Sequence, residues 1–214
     1  MSSSVRRIAV FVSGGGTNLQ SLLDAEQDKF FQSKICLVIS NREDAYALER
    51  AKNYNVPAFV LKSENEILDK LSEYDIDTIV LAGYLRILGT TLLKEYQDRI
   101  INIHPSLLPK YGGKGMYGLN VHRAVFEHKE KESGATVHFV NETVDGGKIL
   151  IQESISIKGA MSPEEIQKII SHINPDGDNI GSLIGLGEGL KKIGKKVRLL
   201  KSDEVPKYLA FLAH

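Results

Sequence analysis

The chain lacks the features that mark secreted, membrane-bound or nucleic-acid-binding proteins. Its single cysteine, Cys36, lies in an apolar run, so we expect a buried strand position and no intrachain disulfide. Lys plus Arg and Asp plus Glu both number 27, which leaves no positive field for nucleic acid or a membrane surface. No apolar run has the length of a signal-peptide core or a transmembrane helix. We therefore expect a cytoplasmic protein that binds neither nucleic acid nor membranes.

Short runs of Val, Ile and Leu alternate regularly with helical patterns. The runs predict strands at residues 7–12, 34–39, 58–61, 78–81, 100–103, 136–140 and 149–155. The intervening patterns predict helices near residues 18–26, 45–53, 64–73, 90–96 and 117–127, and a last helix that starts at Ser162-Pro163. Continuous apolar strands between helices are typical of a parallel sheet covered on both faces. At 214 residues, the sequence predicts a doubly wound, mostly parallel, Rossmann-like α/β domain.

The segment Asn-Ile-His-Pro-Ser-Leu-Leu-Pro at residues 102–109 follows one of these strands. The two-residue period of a strand places Asn102 and His104 on the same side of its end. An amide donor beside an imidazole can serve acyl transfer, as oxyanion partner and proton carrier. A purely structural role, in which the pair ties down a loop, competes with this interpretation.

The first strand is followed by Ser-Gly-Gly-Gly-Thr-Asn at residues 13–18, which opens the first helix. Three glycines allow close backbone approach, and free N–H groups at a helix N-terminus favour an anion. Leu19 stands where a dinucleotide-binding loop has its third glycine, and no Gly-Lys-Ser/Thr follows, so a phosphate without a dinucleotide fits better. The alternative is a tight turn without a ligand.

The roles of three further features depend on what lies near them in the fold. The loop at residues 83–88 suits a flat heteroaromatic ligand or, equally well, packing on the next helix. Asp145, in a turn after the strand that carries His138, acts as a turn former unless it lies near His104, where it would raise the imidazole pKa. His122, on a predicted helix, is interpreted as a structural or surface residue.

Five motifs occur in order, and together they resemble one family. They are Ser-Gly-Gly-Gly-Thr-Asn-Leu from residue 13, Leu-Ala-Gly-Tyr-Leu-Arg-Ile-Leu from 81, Asn-Ile-His-Pro-Ser-Leu-Leu-Pro from 102, Val-His-Phe-Val from 137 and Val-Asp-Gly-Gly from 144. Through them, residues 5–165 resemble the phosphoribosylglycinamide formyltransferase family, folate-dependent enzymes of purine synthesis. The resemblance implies formyl transfer from 10-formyltetrahydrofolate, as cosubstrate, to the amine of 5-phosphoribosylglycinamide, without a metal ion.

The resemblance also implies a role for particular residues. Asn102, His104 and Asp145 would form the catalytic set. Gly16, Thr17 and Asn18 would hold the substrate phosphate. The other assigned residues would bind the folate: Leu85, Arg86, Ile87 and Leu88 around the pterin, Asn102 beside it, and Asn141, Glu142, Thr143, Val144 and Asp145 in a loop.

After residue 169 the sequence departs from that family. This last segment resembles the start of a DHH-type phosphoesterase, whose His-x-x-x-Asp-x-Asp motif binds divalent manganese; the matching residues are His172, Asp176 and Asp178. The later Asp-His-His motif and the second domain are missing, and half of a two-metal site cannot support phosphoryl transfer. We therefore expect a formyltransferase domain at residues 1–168 and an atypical, inert segment at 169–214.

The departures leave several questions of function open. The family's C-terminal helix usually carries an acid near the substrate amine, and Glu153 is the candidate replacement. Lys62 is the candidate for a missing folate-binding arginine. The alternatives to glycinamide ribonucleotide formylation are another folate formyltransferase or deformylase, a metal-dependent phosphoesterase, and an inactive folate-binding protein. The expected partners are small molecules, and either a monomer or a homodimer is compatible with the sequence.

Overall fold

The computed structural model describes residues 5–29, 31 and 33–171. Within them the strands are β1 Arg7–Val12, β2 Lys34–Ser40, β3 Ala58–Val60, β4 Thr78–Leu81, β5 Ile100–His104, β6 Glu132–Phe139 and β7 Ile149–Ser156. The helices are α1 Thr17–Gln27, α2 Ala47–Asn53, α3 Glu64–Glu73, α4 Thr90–Glu95, α5 Leu119–Glu127 and α6 Pro163–Ser171. None of these helices is long and apolar enough to cross a membrane.

All the strands of this described part join one sheet in the order β3-β2-β1-β4-β5-β6-β7. Strands β1 to β5 pair in parallel, whereas β6 runs antiparallel to both β5 and β7. The predicted mostly parallel α/β class is therefore confirmed. The chain winds outward from β1 in one direction and from β4 in the other. The loops after these two strands therefore diverge and leave a crevice at the carboxyl edge of the sheet.

Apolar layers cover both faces of the sheet. In β1, Ile8 and Val10 pack in the layer that contains α1 and α2, while Ala9 and Phe11 pack in the layer that contains α3 and α4. All four side chains are fully buried. A strand buried on both faces needs a continuous apolar run, which explains why the sequence pattern located β1 without error.

Most predicted element boundaries lie within two residues of the observed ones, and β6 is the exception. It begins at Glu132, whereas the apolar pattern predicted residue 136. The additional residues include Gly134, where a Cβ atom would come within 1.8 Å of the Glu153 carbonyl oxygen on β7. The added part of β6 therefore includes a close contact between two backbones, and hydrophobic periodicity does not detect such contacts.

The predicted domain boundary between residues 168 and 169 lies within α6. The chain beyond residue 171 lies outside the described residues, and so do the metal candidates His172, Asp176 and Asp178. The division into two parts stays a prediction.

Thr136 connects β6 to the loop that follows His104. Its buried hydroxyl donates to the Ser106 carbonyl (2.5 Å) and accepts from the Leu108 N–H (3.1 Å) and from Gln152 Nε2 (2.8 Å). We expect Thr136→Val to lower the free energy of unfolding by about 2–4 kcal/mol, because the isosteric side chain leaves buried polar groups without partners. Urea unfolding measures this loss.

Thr136→Ser is the matched control, because it keeps the hydroxyl and removes one methyl group, at a cost of about 1 kcal/mol. Equal stability of the Val and Ser variants would contradict a role for the hydroxyl.

Candidate active site

A cavity of about 890 Å³ opens at the carboxyl edge of the sheet, between the loops that follow β1, β4 and β6. It brings together nearly all the residues that the sequence assigned to the site. Those that line it are Gly16, Thr17, Asn18, Leu85, Arg86, Ile87, Leu88, Asn102, His104, Asn141, Glu142, Val144 and Asp145. Thr143 does not line it; this residue shapes the turn, since its carbonyl accepts from the Gly146 N–H at 3.0 Å.

The carboxylate of Asp145 lies at the centre of the polar end of this cavity. Its side chain is 10% exposed, and Oδ2 accepts from the Gly113 N–H at 2.9 Å. Oδ1 lies 3.4 Å from Asn102 Nδ2 and 3.6 Å from His138 Nε2, while Oδ2 lies 3.6 Å from His104 Nδ1. Asn102 and His104 thus reach the same carboxylate from one side of β5, as their spacing predicted.

His138 belongs to this cluster, although the sequence interpretation gave it no role. The antiparallel register of β5 and β6 pairs it directly with Asn102. His138 Nδ1 lies 2.8 Å from the Phe139 carbonyl oxygen, which can only accept, so the proton is on Nδ1. Nε2 is then the acceptor for Asn102 Nδ2 at 3.1 Å. This bond fixes the Asn102 carboxamide with its NH₂ group toward the cavity centre.

The imidazole of His104 is buried and has the opposite tautomer. Its Nε2 donates to the Tyr111 carbonyl oxygen at 2.8 Å, which leaves the lone pair of Nδ1 facing Asp145. Burial lowers the pKa of His104, and this effect outweighs the raising effects of the Asp145 charge and the Tyr111 carbonyl. The sequence interpretation gave the Asp145 effect its correct sign, but the net pKa is lowered because the ring is desolvated.

Asp145 itself stays ionised. Burial raises the pKa of its carboxyl, but a hydrogen bond from His138 in its protonated form, the Gly113 N–H and the positive charge of protonated His104 together outweigh that effect, and the pKa falls below its usual value. The site therefore holds a carboxylate beside a neutral imidazole that can accept a proton on the side facing that carboxylate.

The glycine loop forms the second part of the cavity wall, at the N-terminus of α1. Gly16 precedes the helix with a φ of 71°, in the left-handed region that favours glycine. No side chain caps α1. Among the described residues, no acceptor takes the N–H groups of Gly15, Gly16, Thr17 or Asn18. Free donors at the positive end of an eleven-residue helix form a suitable site for a phosphate.

The loop after β4 forms the apolar part of the wall. Leu85 and Ile87 are 50% and 71% exposed, which is unusual for side chains of this size beside a concave surface. Arg86 donates to the Lys62 carbonyl oxygen. The side chain of Lys62 pairs with Glu43 at 3.8 Å and is not among the residues that line the cavity.

Ser13 links this apolar loop to the glycine loop, a role that the sequence interpretation missed. Its buried hydroxyl donates to Asn41 Oδ1 at 2.6 Å and accepts from the Leu85 N–H at 2.8 Å. One side chain at the end of β1 therefore connects the loops that follow β1, β2 and β4. A serine before a glycine run gives no sequence signal for such a connection.

His122 and Glu153 also line the cavity. His122 is buried, and burial together with the nearby His104 lowers its pKa to about 4. Its burial on α5 rules out the surface alternative, while a structural role stays a prediction, because the side chain also belongs to the cavity wall. Burial raises the pKa of Glu153, the candidate replacement acid. Within residues 5–171, positions 30 and 32 aside, no cluster of three His, Cys, Asp or Glu residues is arranged to hold a metal ion.

The chain is similar in sequence to known proteins. The sequence model of the family described as formyl transferase matches residues 6–177. A phosphoribosylglycinamide formyltransferase from Haemophilus influenzae is 43% identical over 172 residues, which cover 76% of this chain and 79% of that protein. A chloroplastic phosphoribosylglycinamide formyltransferase from Arabidopsis thaliana is 38% identical over 177 residues, covering 78% of this chain. The chain spans 61% of the length of this plant relative.

Solved structures show the same similarity. The crystal structure of glycinamide ribonucleotide transformylase 1 from Symbiobacterium toebii superimposes with a TM-score of 0.79 at 32% identity. The superposition covers 93% of this chain and 96% of that one.

We expect Asp145→Asn to lower the pKa of His104 further. The substitution removes the charge that favours the imidazolium form, while the burial that disfavours this form remains. NMR titration of the His104 ring in the ligand-free protein measures the change.

Glu142→Gln is the control, because it removes an exposed carboxylate from the same loop and should leave the His104 pKa nearly unchanged. A His104 pKa that rises or stays constant in Asp145→Asn would contradict the electrostatic description.

Proposed function

The chain belongs to the formyl transferase family, and we propose that it transfers a formyl group from 10-formyltetrahydrofolate to the amine of 5-phosphoribosylglycinamide in purine biosynthesis. One observation carries the proposal: Asn102, His104 and Asp145 meet in a cavity that is also lined by a glycine loop with free N–H groups and by an exposed apolar loop. The relatives named phosphoribosylglycinamide formyltransferase support the choice of substrates.

The cavity wall suggests how the two substrates are arranged. The free N–H groups at the start of α1 suit the phosphate of the ribonucleotide, held at Gly16, Thr17 and Asn18. The pterin suits the apolar loop of residues 85–88, with the turn of residues 141–145 closing over it. The glycinamide amine and the formyl carbon then meet beside Asn102 and His104, and holding both in one crevice supplies much of the acceleration.

The reaction forms one C–N bond and breaks another. The amine nitrogen attacks the formyl carbon, and the carbonyl oxygen becomes an oxyanion in a tetrahedral intermediate. When this intermediate collapses, the bond between the formyl carbon and folate N10 breaks, and a proton lost by the amine ends on N10. The protein therefore has to stabilise one negative charge and move one proton.

Asn102 is placed to stabilise that charge. Its NH₂ group donates to His138 and makes only a long contact of 3.4 Å with Asp145. Because the contact with Asp145 is long, the N–H group that makes it can donate to an oxyanion instead at little cost in free energy. Removal of such a donor typically lowers the rate by about 10²–10³-fold.

His104 is placed to move the proton. In its neutral form Nε2 stays bonded to the Tyr111 carbonyl, so the incoming proton binds at Nδ1. The imidazolium that results faces the ionised Asp145, which compensates its charge. Asp145 thus acts by stabilising the protonated state of His104 and by orienting its ring.

We also propose that residues 1–168 form the catalytic domain, that the substrates are small molecules, that no resident metal is needed, and that the protein acts in the cytoplasm. Glu153, which lines the cavity, is the proposed acid near the substrate amine.

Formyl transfer from 10-formyltetrahydrofolate to glycinamide ribonucleotide tests the proposal directly. We expect activity in the native chain and a loss of about 10²-fold or more in turnover for both His104→Ala and Asp145→Asn, because the first removes the proton carrier and the second removes the charge that stabilises its protonated form. Initial rates at saturating substrates measure turnover, and thermal unfolding verifies that each variant folds.

Asp69→Asn, an exposed substitution on α3, is the matched control and should keep normal activity. No transfer by the native chain would overturn the proposed function. Near-normal turnover in His104→Ala or Asp145→Asn would overturn the assigned catalytic set.

A further inference from the structure

We propose that Arg50 is a positioning residue for the glycine loop, and that it holds the Gly15 carbonyl oxygen away from the cavity so that the next N–H points into it. The inference rests on the proposed function, because it takes the glycine loop, with Gly16, Thr17 and Asn18, as the site of the substrate phosphate, and it adds the Gly15 N–H to that site. Arg50 lies on α2 and is not among the residues that line the cavity.

The contact between Arg50 and the loop uses two sides of the guanidinium group. Arg50 Nε donates to the Gly15 carbonyl oxygen at 2.8 Å, and Nη1 donates to Gln20 Oε1 on α1 at 2.9 Å. The same group stacks over the ring of Tyr46, with 5.0 Å between Cζ and the ring centroid. A planar group held at three points has little freedom to turn, so it fixes the position of the carbonyl that it contacts.

The start of α2 holds the loop at a second peptide as well. The Ala47 N–H donates to the Gly14 carbonyl oxygen at 3.1 Å. The loop packs so closely here that a Cβ atom on Gly16 would lie 2.5 Å from Ala47 Cβ. Two successive carbonyl groups, those of Gly14 and Gly15, therefore point toward α2.

Because the peptide bond is planar, fixing the Gly14 and Gly15 carbonyl groups also fixes the direction of the N–H groups that follow them. In a planar trans peptide the C=O and the following N–H point in opposite directions. Because donors on α2 bind the carbonyl oxygens of Gly14 and Gly15, the N–H groups of Gly15 and Gly16 must point away from α2. These donors have no acceptor among the described residues, and both glycines line the cavity. Loss of the Arg50 contact would free the Gly15–Gly16 peptide to rotate and would present a carbonyl oxygen to the phosphate.

Further hydrogen bonds hold Gln20, the side-chain partner of Arg50, in place. Gln20 Nε2 donates to Asp24 Oδ1 at 2.8 Å and to the Tyr54 hydroxyl at 2.9 Å. Tyr54 in turn donates to Asp24. The Gln20 oxygen is thereby oriented toward Arg50, so the loop, α1 and α2 form one connected unit.

Steady-state kinetics of three variants test the proposal. We expect Arg50→Met to raise the KM for glycinamide ribonucleotide about tenfold or more, with the KM for 10-formyltetrahydrofolate and kcat nearly unchanged. Arg50→Lys should also raise it, because an ammonium group cannot contact Gly15 and Gln20 in the same fork. Lys52→Met removes an exposed charge from the same helix and should leave both KM values unchanged.

If Arg50 had only a structural role, Arg50→Met would lower kcat and raise the KM values for both substrates. That result would overturn the proposal. Native-like kinetics in Arg50→Lys, or an equal effect of Lys52→Met, would show that only charge matters and would also overturn it. Thermal unfolding of each variant separates loss of fold from loss of binding.

Inorganic phosphate provides a test that does not depend on the reaction. We expect phosphate to shift the amide NMR signals of Gly15, Gly16 and Thr17 in the native chain, and to bind about tenfold more weakly to Arg50→Met. If the native chain fails to formylate the ribonucleotide but shows this pattern, the proposed function falls and the role of Arg50 stands. Equal phosphate binding by both proteins overturns the role of Arg50.

Discussion

A buried carboxylate is stable only where hydrogen bonds and nearby dipoles replace its hydration, and this requirement at Asp145 organises the site. The Gly113 N–H comes from the loop after β5, while Asn102 and His104 come from β5 itself. His138 comes from β6, whose antiparallel register aligns it with Asn102. Three segments therefore contact one carboxylate, which lies on a turn where Asp145 has a positive φ of 54°.

Two backbone carbonyls then decide how the imidazoles behave. The Tyr111 carbonyl holds the proton of His104 on Nε2, and the Phe139 carbonyl holds that of His138 on Nδ1. One ring is thus open to a proton on the side facing Asp145, and the other accepts a hydrogen bond that orients Asn102. The chemical difference between two identical side chains comes from the backbone that each one contacts. Backbone contacts have a similar effect in the glycine loop, because the donors that bind its carbonyl oxygens determine where its N–H groups point.

Much of the fold could be predicted from the sequence, because parallel strands buried on both faces, such as β1, need apolar runs that stand out. The order of five motifs also identified Asn102, His104 and Asp145 as a set. His138 was missed because its role depends on the register between β5 and β6. Ser13 and Arg50 were missed because their partners lie on neighbouring elements, at Leu85 and Gly15. The net direction of the His104 pKa could not be predicted, since the burial that sets it arises from packing of the whole edge.

The proposed chemistry requires that Asp145 face a neutral His104 whose Nδ1 can accept a proton. The ¹⁵N chemical shifts of the histidine side chains in the ligand-free protein, at neutral pH, report this protonation state. We expect the Nε2–H tautomer for His104 and the Nδ1–H tautomer for His138. A doubly protonated His104, or a His104 with its proton on Nδ1, would contradict it.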